Sequence, residues 1–489
     1  MTSFNKIPGT LRVPGVYTEI DSRNAVSGTQ LLPLRVLLLG QKLGTGTAAA
    51  LTPIAVTSVE GARAAFGNGS MLAVMAEAAL ASNAISEIVA LPIIDNVAGT
   101  AATASVSFGG SPTEAGTVSL YIAGRKVQIA VASGDTPAAL ATLLAGTIND
   151  DTGLCVTAVV DGVVTSKVNL TARHKGEAYN GVDVRVGYFG EALPAGLTAT
   201  TTNLAAGTGN PDITPALAAV GDQWFHLIAT PYTDSASLTV LETELASRFD
   251  PVREVEAHAF AASAGNLGYM STLGNSRNSP HLTIVACRGE PTPHFAKAAE
   301  TAAIVALYAS ADPARPLQTL PYAFCKAPAA KDRFTLQERE ILLHDGIATT
   351  YVDSGGVIVT ERLITTYKTN ANGADDTAYL DVKTLLTLMT LRHDWRDSIR
   401  RKYPRHKLAN DGTRFAAGQA VVTPNVIKAE AISKFREWEE LGLVENFDQF
   451  KADLVVERNQ GDPNRMDVVL PPDIINGLRV VGTLIAFRL

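Results

Sequence analysis

The sequence predicts a multidomain protein of α+β and α/β class, with an α/β core, extended ends and an inserted, mostly β domain. Its 489 residues exceed what one hydrophobic core usually holds. Apolar residues make up 46% of the chain and charged residues 18%, which is typical of a chain with much buried surface. Strand and helix patterns alternate on both sides of residues 95–206, where charges are sparse and hairpin patterns recur.

The start of the chain, residues 1–30, predicts an extended arm. Pro8-Gly9 and Pro14-Gly15 are turn signals. Neither of the short strand patterns in this segment is long enough to bury its own apolar side chains. A frayed terminus is therefore the alternative to an extended arm. The pattern that we expect to add to the sheet of another subunit consists of Val16, Tyr17, Thr18, Glu19 and Ile20.

An α/β core is predicted from residues 31–94 together with 207–330. The first part reads as a strand at 33–39, a helix at 70–84 and a strand at 85–94. Such a βαβ rhythm favours a mainly parallel sheet that is covered on both faces. The second part continues with strands Trp224–Ala229, Glu256–Ala261 and His281–Cys287 and with helices Ser235–Phe249 and Thr292–Ala309.

The stretch between the two parts, residues 95–206, predicts an inserted β domain on the surface. Apolar residues alternate on both sides of Ala123-Gly124, which indicates a hairpin. A helix is expected after Thr136, because Pro137 suits an early helical position. A second hairpin is expected from Val156–Val160 through the turn Asp161-Gly162 and onward from Val163.

Residues 331–477 predict a C-terminal core domain that is more charged and more regular. It holds helices at Thr335–His344, Thr377–Tyr403 and from Pro424 to Glu440. The end of the chain, 478–489, predicts a strand that we expect to be donated to another subunit. The side chains on one face of that strand are Val481, Thr483, Ile485, Phe487 and Leu489.

Motifs for catalysis or cofactor binding are not found in the sequence, so we predict no catalytic residue, no cofactor and no metal site. The Gly-rich segment from Gly40 lacks the Gly-Lys-Ser/Thr ending of a phosphate-binding loop. The eight histidines lack the spacing of a helical zinc site, and no Gly-x-Ser-x-Gly motif occurs. His393, Asp394 and Asp397 could form an acid–base group, but a solvated helix face explains them more simply.

Composition also restricts the partners and the location. A net charge of -7 argues against nucleic acid as the main partner. Three widely spaced cysteines argue against a disulfide framework. The start lacks a signal-peptide pattern and no apolar run is long enough to span a membrane, so we expect synthesis in the cytoplasm and no membrane insertion.

A basic stripe on the long predicted helix is the strongest local charge feature. Seven Arg or Lys and two Asp between residues 392 and 407 give a local net charge of +5. This concentration indicates docking to an acidic partner, although a solvated helix end that complements the helix dipole, or DNA binding, would also account for it. The candidate docking residues are Arg392, Arg396, Arg400, Arg401 and Lys402.

A series of short motifs runs along the chain outside the inserted region. They are Val13-Pro-Gly-Val-Tyr17 with Glu19, Asp312-Pro-Ala-Arg-Pro-Leu-Gln-Thr-Leu320, Glu338-Arg-Glu340, Asp345-Gly-Ile-Ala-Thr349, Thr365-Thr-Tyr367, Tyr403-Pro-Arg-His-Lys-Leu408, Asp411-Gly-Thr413, Phe447–Asn459, Asp462-Pro-Asn-Arg465 and Pro471-Pro-Asp473. By their number and order, these motifs resemble the Mu-like contractile phage tail sheath proteins. The segment Ala323-Phe-Cys-Lys326 departs from the family pattern, and this difference bears only on how a local loop packs.

The resemblance implies a structural subunit rather than an enzyme. Such proteins stack as hexameric rings around a tail tube and form a helical sheath in the virion tail. The sheath contracts from a metastable extended state and drives the tube through the envelope of the target cell. Implied partners are other copies of the chain, the tail tube protein, and the baseplate and tail terminator proteins. The alternative is an α/β enzyme, a hydrolase or transferase, with an inserted β domain.

Overall fold

The structure, a computed structural model, describes residues 32–488 and divides them into two compact units. The C-terminal unit is Thr390–Ile475, and the main unit is Leu32–Met389 together with the segment from Asn476 onward. The mixture of helices and sheets confirms the predicted α+β and α/β class. The domain boundaries given above stay predictions, and the predicted N-terminal arm lies outside the described residues.

The first part of the main unit forms the predicted βαβ core. Strands β1 and β3 are buried along their whole length, and α2 begins after Ser70, whose hydroxyl accepts the Ala73 N–H. The predicted strand, helix and strand are therefore confirmed. The elements are β1 (Val36–Gln41), β2 (Ile54–Ala55), α1 (Val59–Phe66), α2 (Met71–Ser82) and β3 (Ile88–Ile93).

The region 95–206 forms two antiparallel sheets around one helix. The first predicted hairpin is confirmed, with a tight turn in which Ala123 and Gly124 both have positive φ values of 52° and 77°. The elements are β4 (Ala101–Gly110), β5 (Gly116–Ile122), β6 (Arg125–Val131), α3 (Pro137–Asp150), β7 (Val156–Val160), β8 (Lys167–Lys175), β9 (Val184–Val186) and β10 (Leu197–Thr201). The sheet orders are β10-β4-β8-β7 and β6-β5-β9.

The second predicted hairpin forms, but its second strand begins at Lys167 and not at Val163. The carboxylate of Asp161 accepts the backbone N–H groups of both Val163 and Val164, at 2.9 and 3.0 Å. These bonds hold the residues after Asp161 in a wide turn, since the donors that a strand would use are already occupied.

The second part of the core completes a six-stranded sheet in the order β13-β12-β11-β1-β3-β2. All pairs in it are parallel except β2–β3, which confirms the mainly parallel sheet. The elements are α4 (Thr214–Val220), β11 (Leu227–Ala229), α5 (Ser235–Phe249), β12 (His258–Ala264), α6 (Leu267–Asn275), β13 (Leu282–Cys287) and α7 (His294–Ala311).

A buried carboxylate on α7 holds the loop that departs from the family pattern. Glu300 is fully buried and accepts the backbone N–H groups of Ala323, Phe324 and Cys325 at 2.6, 2.8 and 3.0 Å. The Ser82 hydroxyl donates to the same carboxylate at 2.6 Å. One side chain therefore accepts three consecutive backbone N–H groups of this loop, and hydrogen bonds to a carboxylate are stronger than those between neutral groups.

The rest of the main unit contains α8 (Leu336–His344), β14 (Thr349–Val352), β15 (Ile358–Arg362) and the start of α9 (Val382–Lys402). The predicted start of the long helix at Thr377 is wrong. The Leu380 carbonyl accepts the Thr365 N–H, and Asp381 forms a two-pronged ion pair with Arg362 at 3.1 and 3.0 Å. These contacts hold the preceding residues in an extended link, so the helix begins at Val382.

The C-terminal unit packs α10 and α11 against small sheets. Helix α10 begins at Pro424 as predicted, and the rings of Phe435 and Phe450 stack at 4.2 Å between α10 and α11. Its elements after α9 are β16 (Lys407–Leu408), β17 (Val421–Val422), α10 (Pro424–Glu440), β18 (Val444–Glu445), α11 (Phe447–Asp453), β19 (Val455–Arg458), β20 (Met466–Val469) and β21 (Asp473–Ile474).

Two buried histidines lie side by side in the parallel sheet. His258 opens β12 and His281 precedes β13, and the Nε2 atom of His258 lies 2.8 Å from the Thr283 hydroxyl. Burial lowers the pKa of His258 to about 3 and that of His281 to about 4. Both imidazoles are therefore neutral in the folded chain at pH values where the unfolded chain protonates them.

We expect the stability of the chain to fall as the pH drops below the unfolded value of 6.5. The unfolded state then binds protons that the folded state rejects, which costs about 1.4 kcal/mol per pH unit for each histidine. Urea unfolding at several pH values measures this slope. The double variant His258→Gln with His281→Gln should reduce this slope and leave the contribution of the buried His294, whose pKa is also lowered to about 4, whereas the exposed His344→Gln should leave the slope unchanged. An equal slope in both variants would contradict the assignment.

Candidate functional site

The final described segment of the chain contacts the main unit around Arg479. Its guanidinium donates to the Asp381 carboxylate at 2.9 Å and to the Gln318 side-chain oxygen at 2.8 Å. The Gln318 amide in turn donates to the Leu478 carbonyl at 3.5 Å. These contacts fix the place from which the remaining residues leave the main unit.

Between Val480 and Arg488 the chain is exposed and pairs with no other described residue. Val481, Ile485 and Phe487 are 71%, 82% and 79% exposed, and Thr483 is exposed as well. Within the described part of the chain, residues 480–488 make no hydrogen bond and no strand is assigned to them. A strand needs a partner to form its ladder. Of the predicted strand-addition residues that the structure describes, Val481, Ile485 and Phe487 therefore present apolar side chains to solvent, whereas Leu489 lies outside the described residues, and the role of the whole set stays a prediction.

The N-terminal candidates Val16, Tyr17, Thr18, Glu19 and Ile20 lie outside the described residues. Their proposed role in strand addition is therefore also still a prediction.

A sheet with open edges occurs in the C-terminal unit. Strands β19 and β20 pair with each other over four residues, and neither pairs with another strand within residues 32–488. The hairpin of β14 and β15 differs, since isolated bridges at Val285–Ala348 and Pro321–Val359 flank it on both sides. The β19–β20 hairpin thus offers unpaired backbone groups that can accept added strands.

The predicted basic stripe lies on α9 but is engaged within its own chain. Lys402 pairs with Glu430 at 2.6 Å, and Arg401 pairs with Asp397 at 3.5 Å. Arg392, Arg396 and Arg400 also take part in interactions within the chain. Arg400, Arg401 and Lys402 nevertheless remain exposed, so charge is available there for a partner.

The structure shows a polar network between α9 and α10 that the sequence analysis missed. Asp394 is only 3% exposed and accepts the Trp438 indole N–H at 2.7 Å and the Lys434 ammonium at 3.2 Å. One turn further along α9, the Ser398 hydroxyl donates to Glu430 at 2.8 Å. The assignment of Asp394 to a solvated helix face is therefore wrong.

A signal for this network was present in the sequence as two matching four-residue steps. Asp394, Ser398 and Lys402 follow one another on α9, and Glu430, Lys434 and Trp438 do so on α10. Burial by itself lowers the pKa of Lys434, but hydrogen bonding with Glu437 and the charge of Asp394 raise it above its ordinary value. The ammonium therefore stays charged inside the unit.

The segments that the sequence analysis tested for chemistry serve structural contacts. The Lys42 ammonium in the Gly-rich loop donates to the carbonyls of Gly46 and Ala48 at 3.0 and 2.6 Å. Among the described residues, no cluster of three or more His, Cys, Asp or Glu side chains could hold a metal ion. No described helix has both the length and the apolar character needed to cross a bilayer.

Comparisons with known proteins agree on one family. The model of the phage tail sheath protein central domain matches residues 206–366, and that of the phage tail sheath C-terminal domain matches residues 374–488. A Mu-like prophage tail sheath protein of Haemophilus influenzae is 41% identical over 488 residues, covering 100% of this chain and 99% of the relative.

Solved structures of two sheath tail proteins are also similar. That from Listeria innocua has a TM-score of 0.50 at 15% identity and covers 91% of this chain and 92% of its own. That from Desulfitobacterium hafniense has a TM-score of 0.49 at 14% identity and covers 94% of this chain and 100% of its own. The first similarity supports the fold.

The buried ion pair leads to a prediction about Asp394. The substitution Asp394→Ala leaves the Trp438 N–H buried without its acceptor and leaves the Lys434 ammonium with Glu437 alone, which should cost roughly 2–4 kcal/mol of unfolding free energy. The half-buried Asp397→Ala is the control and should cost less than about 1 kcal/mol. Chemical denaturation measures both. Equal losses in the two variants would show that Asp394 is not the acceptor on which this packing depends.

Proposed function

The chain belongs to the phage tail sheath family, and we propose that it is the structural subunit of a contractile tail sheath. In this proposal the subunits stack as hexameric rings around the tail tube in the virion tail. They contract from a metastable extended state, which drives the tube through the envelope of the target cell. The subunit is made in the cytoplasm of the host bacterium, acts without catalysis or cofactor, and also contacts the baseplate and tail terminator proteins.

The observation that carries the proposal is the exposed segment from Val480 to Phe487. It combines alternating apolar side chains with backbone groups that no described residue pairs. Addition to a sheet edge in another subunit satisfies both features at once. Each backbone hydrogen bond contributes about 0.5–1.5 kcal/mol net, so several of them make a durable tether.

The geometry of the tether suits a polymer whose subunits move. The side chain of Arg479 fixes the start of the segment, while residues 480–488 are exposed and make no hydrogen bond to other described residues. The receiving edge in this proposal belongs to the β19–β20 hairpin of a neighbouring copy. Such tethers keep subunits connected while their folded bodies shift to a packing with more contact.

The single experiment that tests the function is assembly of the purified chain, viewed by electron microscopy and sedimentation. Proline at Leu484 removes a backbone N–H and restricts the chain in the middle of the segment, so Leu484→Pro should block sleeve formation. The control Leu484→Val keeps the N–H and should assemble. Both variants should unfold at the same temperature as the natural chain, because residue 484 is 93% exposed. Sleeves of normal length from Leu484→Pro would contradict the proposal.

Docking to the tube is the proposed role of the basic stripe Arg392, Arg396, Arg400, Arg401 and Lys402. The exposed members of the stripe are the ones to test, because reversing their charge should disturb the packing of the C-terminal unit least. We expect Arg400→Glu with Arg401→Glu to weaken co-assembly with tube protein and to leave sleeve formation intact.

The matched control reverses two exposed bases of the main unit, Arg315→Glu with Lys331→Glu. It alters net charge by the same amount and should leave co-assembly unchanged. The measurement is the fraction of tube protein that sediments with sleeves. An equal fraction for both double variants would show that Arg400 and Arg401 do not contact the tube.

A further inference from the structure

Charge is separated along the sequence of the C-terminal unit. The unit carries fourteen Arg or Lys and fourteen Asp or Glu, so its net charge is zero. Its first part, 390–428, has nine basic and three acidic residues, whereas 429–475 has five basic and eleven acidic residues. A neutral unit thus consists of a basic part and an acidic part, and the structure shows where their charges lie.

The basic end is the exposed connection 404–420 between α9 and α10, here called the basic loop, which includes the short strand β16. Arg405, Lys407 and Arg414 make no ion pair within the described residues, and the Lys407 ammonium donates to the neutral Gln419 side chain at 2.9 Å. The carboxylate of Asp411 accepts the backbone N–H of Asn425 at 3.1 Å. This contact places the loop beside the amino end of α10.

The acidic end lies at the opposite end of α10. Glu440 is its last residue, and Glu445 and Asp448 follow shortly after. None of these three carboxylates makes an ion pair within residues 32–488, whereas the neighbouring Glu439 pairs with Arg436 at 2.5 Å. Helix α10 has 17 residues, so at 1.5 Å per residue the two ends lie about 25 Å apart.

The helix dipole makes the acidic end of α10 unfavourable in the isolated unit. Helix α10 has no acidic residue in its first turn and no basic residue in its last turn. Bases at the positive end of a helix and acids at its negative end each cost about 0.3–1 kcal/mol at a surface. At the carboxyl end of α10 the isolated unit therefore holds an unfavourable charge, Glu440, which contact with a basic surface would relieve, whereas the Asp411 carboxylate complements the amino end.

We propose that the C-terminal unit docks head to tail with the same unit of a second copy, the basic loop of one chain lying against the acidic end of α10 in the next. The inference deepens the proposed sheath function and rests on it. A second copy is the occupant that the charges favour, because the chain itself carries a complementary surface of opposite charge. A contact of this heterologous kind repeats from copy to copy and suits rings and helical polymers.

Charge reversal at each end tests the contact. The base-reversed chain carries Arg405→Glu, Lys407→Glu and Arg414→Glu, and the acid-reversed chain carries Glu440→Lys, Glu445→Lys and Asp448→Lys. Each should raise the protein concentration needed for polymerisation about tenfold or more, which corresponds to the loss of about 1.4 kcal/mol per contact. Replacement of the same residues by Gln should give a smaller increase. Circular dichroism and thermal unfolding verify that every variant is folded.

The decisive arm combines both sets in one chain, which exchanges the signs of the two ends. That chain should polymerise at close to the natural concentration, since each end again meets its opposite. A folded combined chain that stays monomeric would overturn the proposal, as would single reversals that polymerise normally. In both of these cases the sheath function would stand.

Two further outcomes separate the contact from its alternatives. If the base-reversed chain forms empty sleeves normally but no longer binds tube protein, the loop docks to the tube, and the copy-to-copy contact is wrong. If the natural chain itself stays monomeric at every salt and protein concentration, both the contact and the proposed function are overturned. Polymerisation that weakens with added salt for the natural chain supports the contact.

Discussion

Backbone groups that no described residue pairs are the constraint on which the proposed assembly depends. Buried N–H and C=O groups must be paired, and exposed ones in an apolar, alternating segment are available to pair with another chain. The segment after Arg479 meets this description, and the β19–β20 hairpin has the open edges to match it. Strand pairing between copies would give hydrogen-bond partners both to the exposed segment and to the open edge of the hairpin.

Such pairing is useful only if the bodies it links are rigid. In the main unit, the carboxylate of Glu300 holds three consecutive N–H groups, and the buried Lys297 ammonium bonds to Glu290 and to the Thr350 hydroxyl. In the C-terminal unit, Asp394 and Lys434 pair inside the packing of α9 and α10. Charged groups buried in this way allow few alternative packings, since any displacement leaves a charge without its partner.

Charges at the surface of the C-terminal unit have a different effect from these buried ion pairs. The basic loop and the acidic end of α10 are exposed, so each charge keeps most of its hydration and contributes little to the stability of a single chain. Their use lies in selecting the orientation of a partner, because opposite charges steer encounters and like charges disfavour wrong ones. Strand addition would then supply durable attachment, and charge would supply direction.

The sequence by itself determined the parallel core, the first inserted hairpin, the start of α10 and the exposed alternation from Val481 to Phe487. These features depend on local periodicity and turn chemistry, which neighbouring residues specify. Only the tertiary structure decided the late start of α9, the wide turn after Asp161, the burial of Asp394 and the position of the basic loop at one end of α10. Each of these features depends on a side chain that contacts a residue distant in sequence or that accepts a backbone N–H which a strand would otherwise use. A local sequence pattern does not specify such contacts.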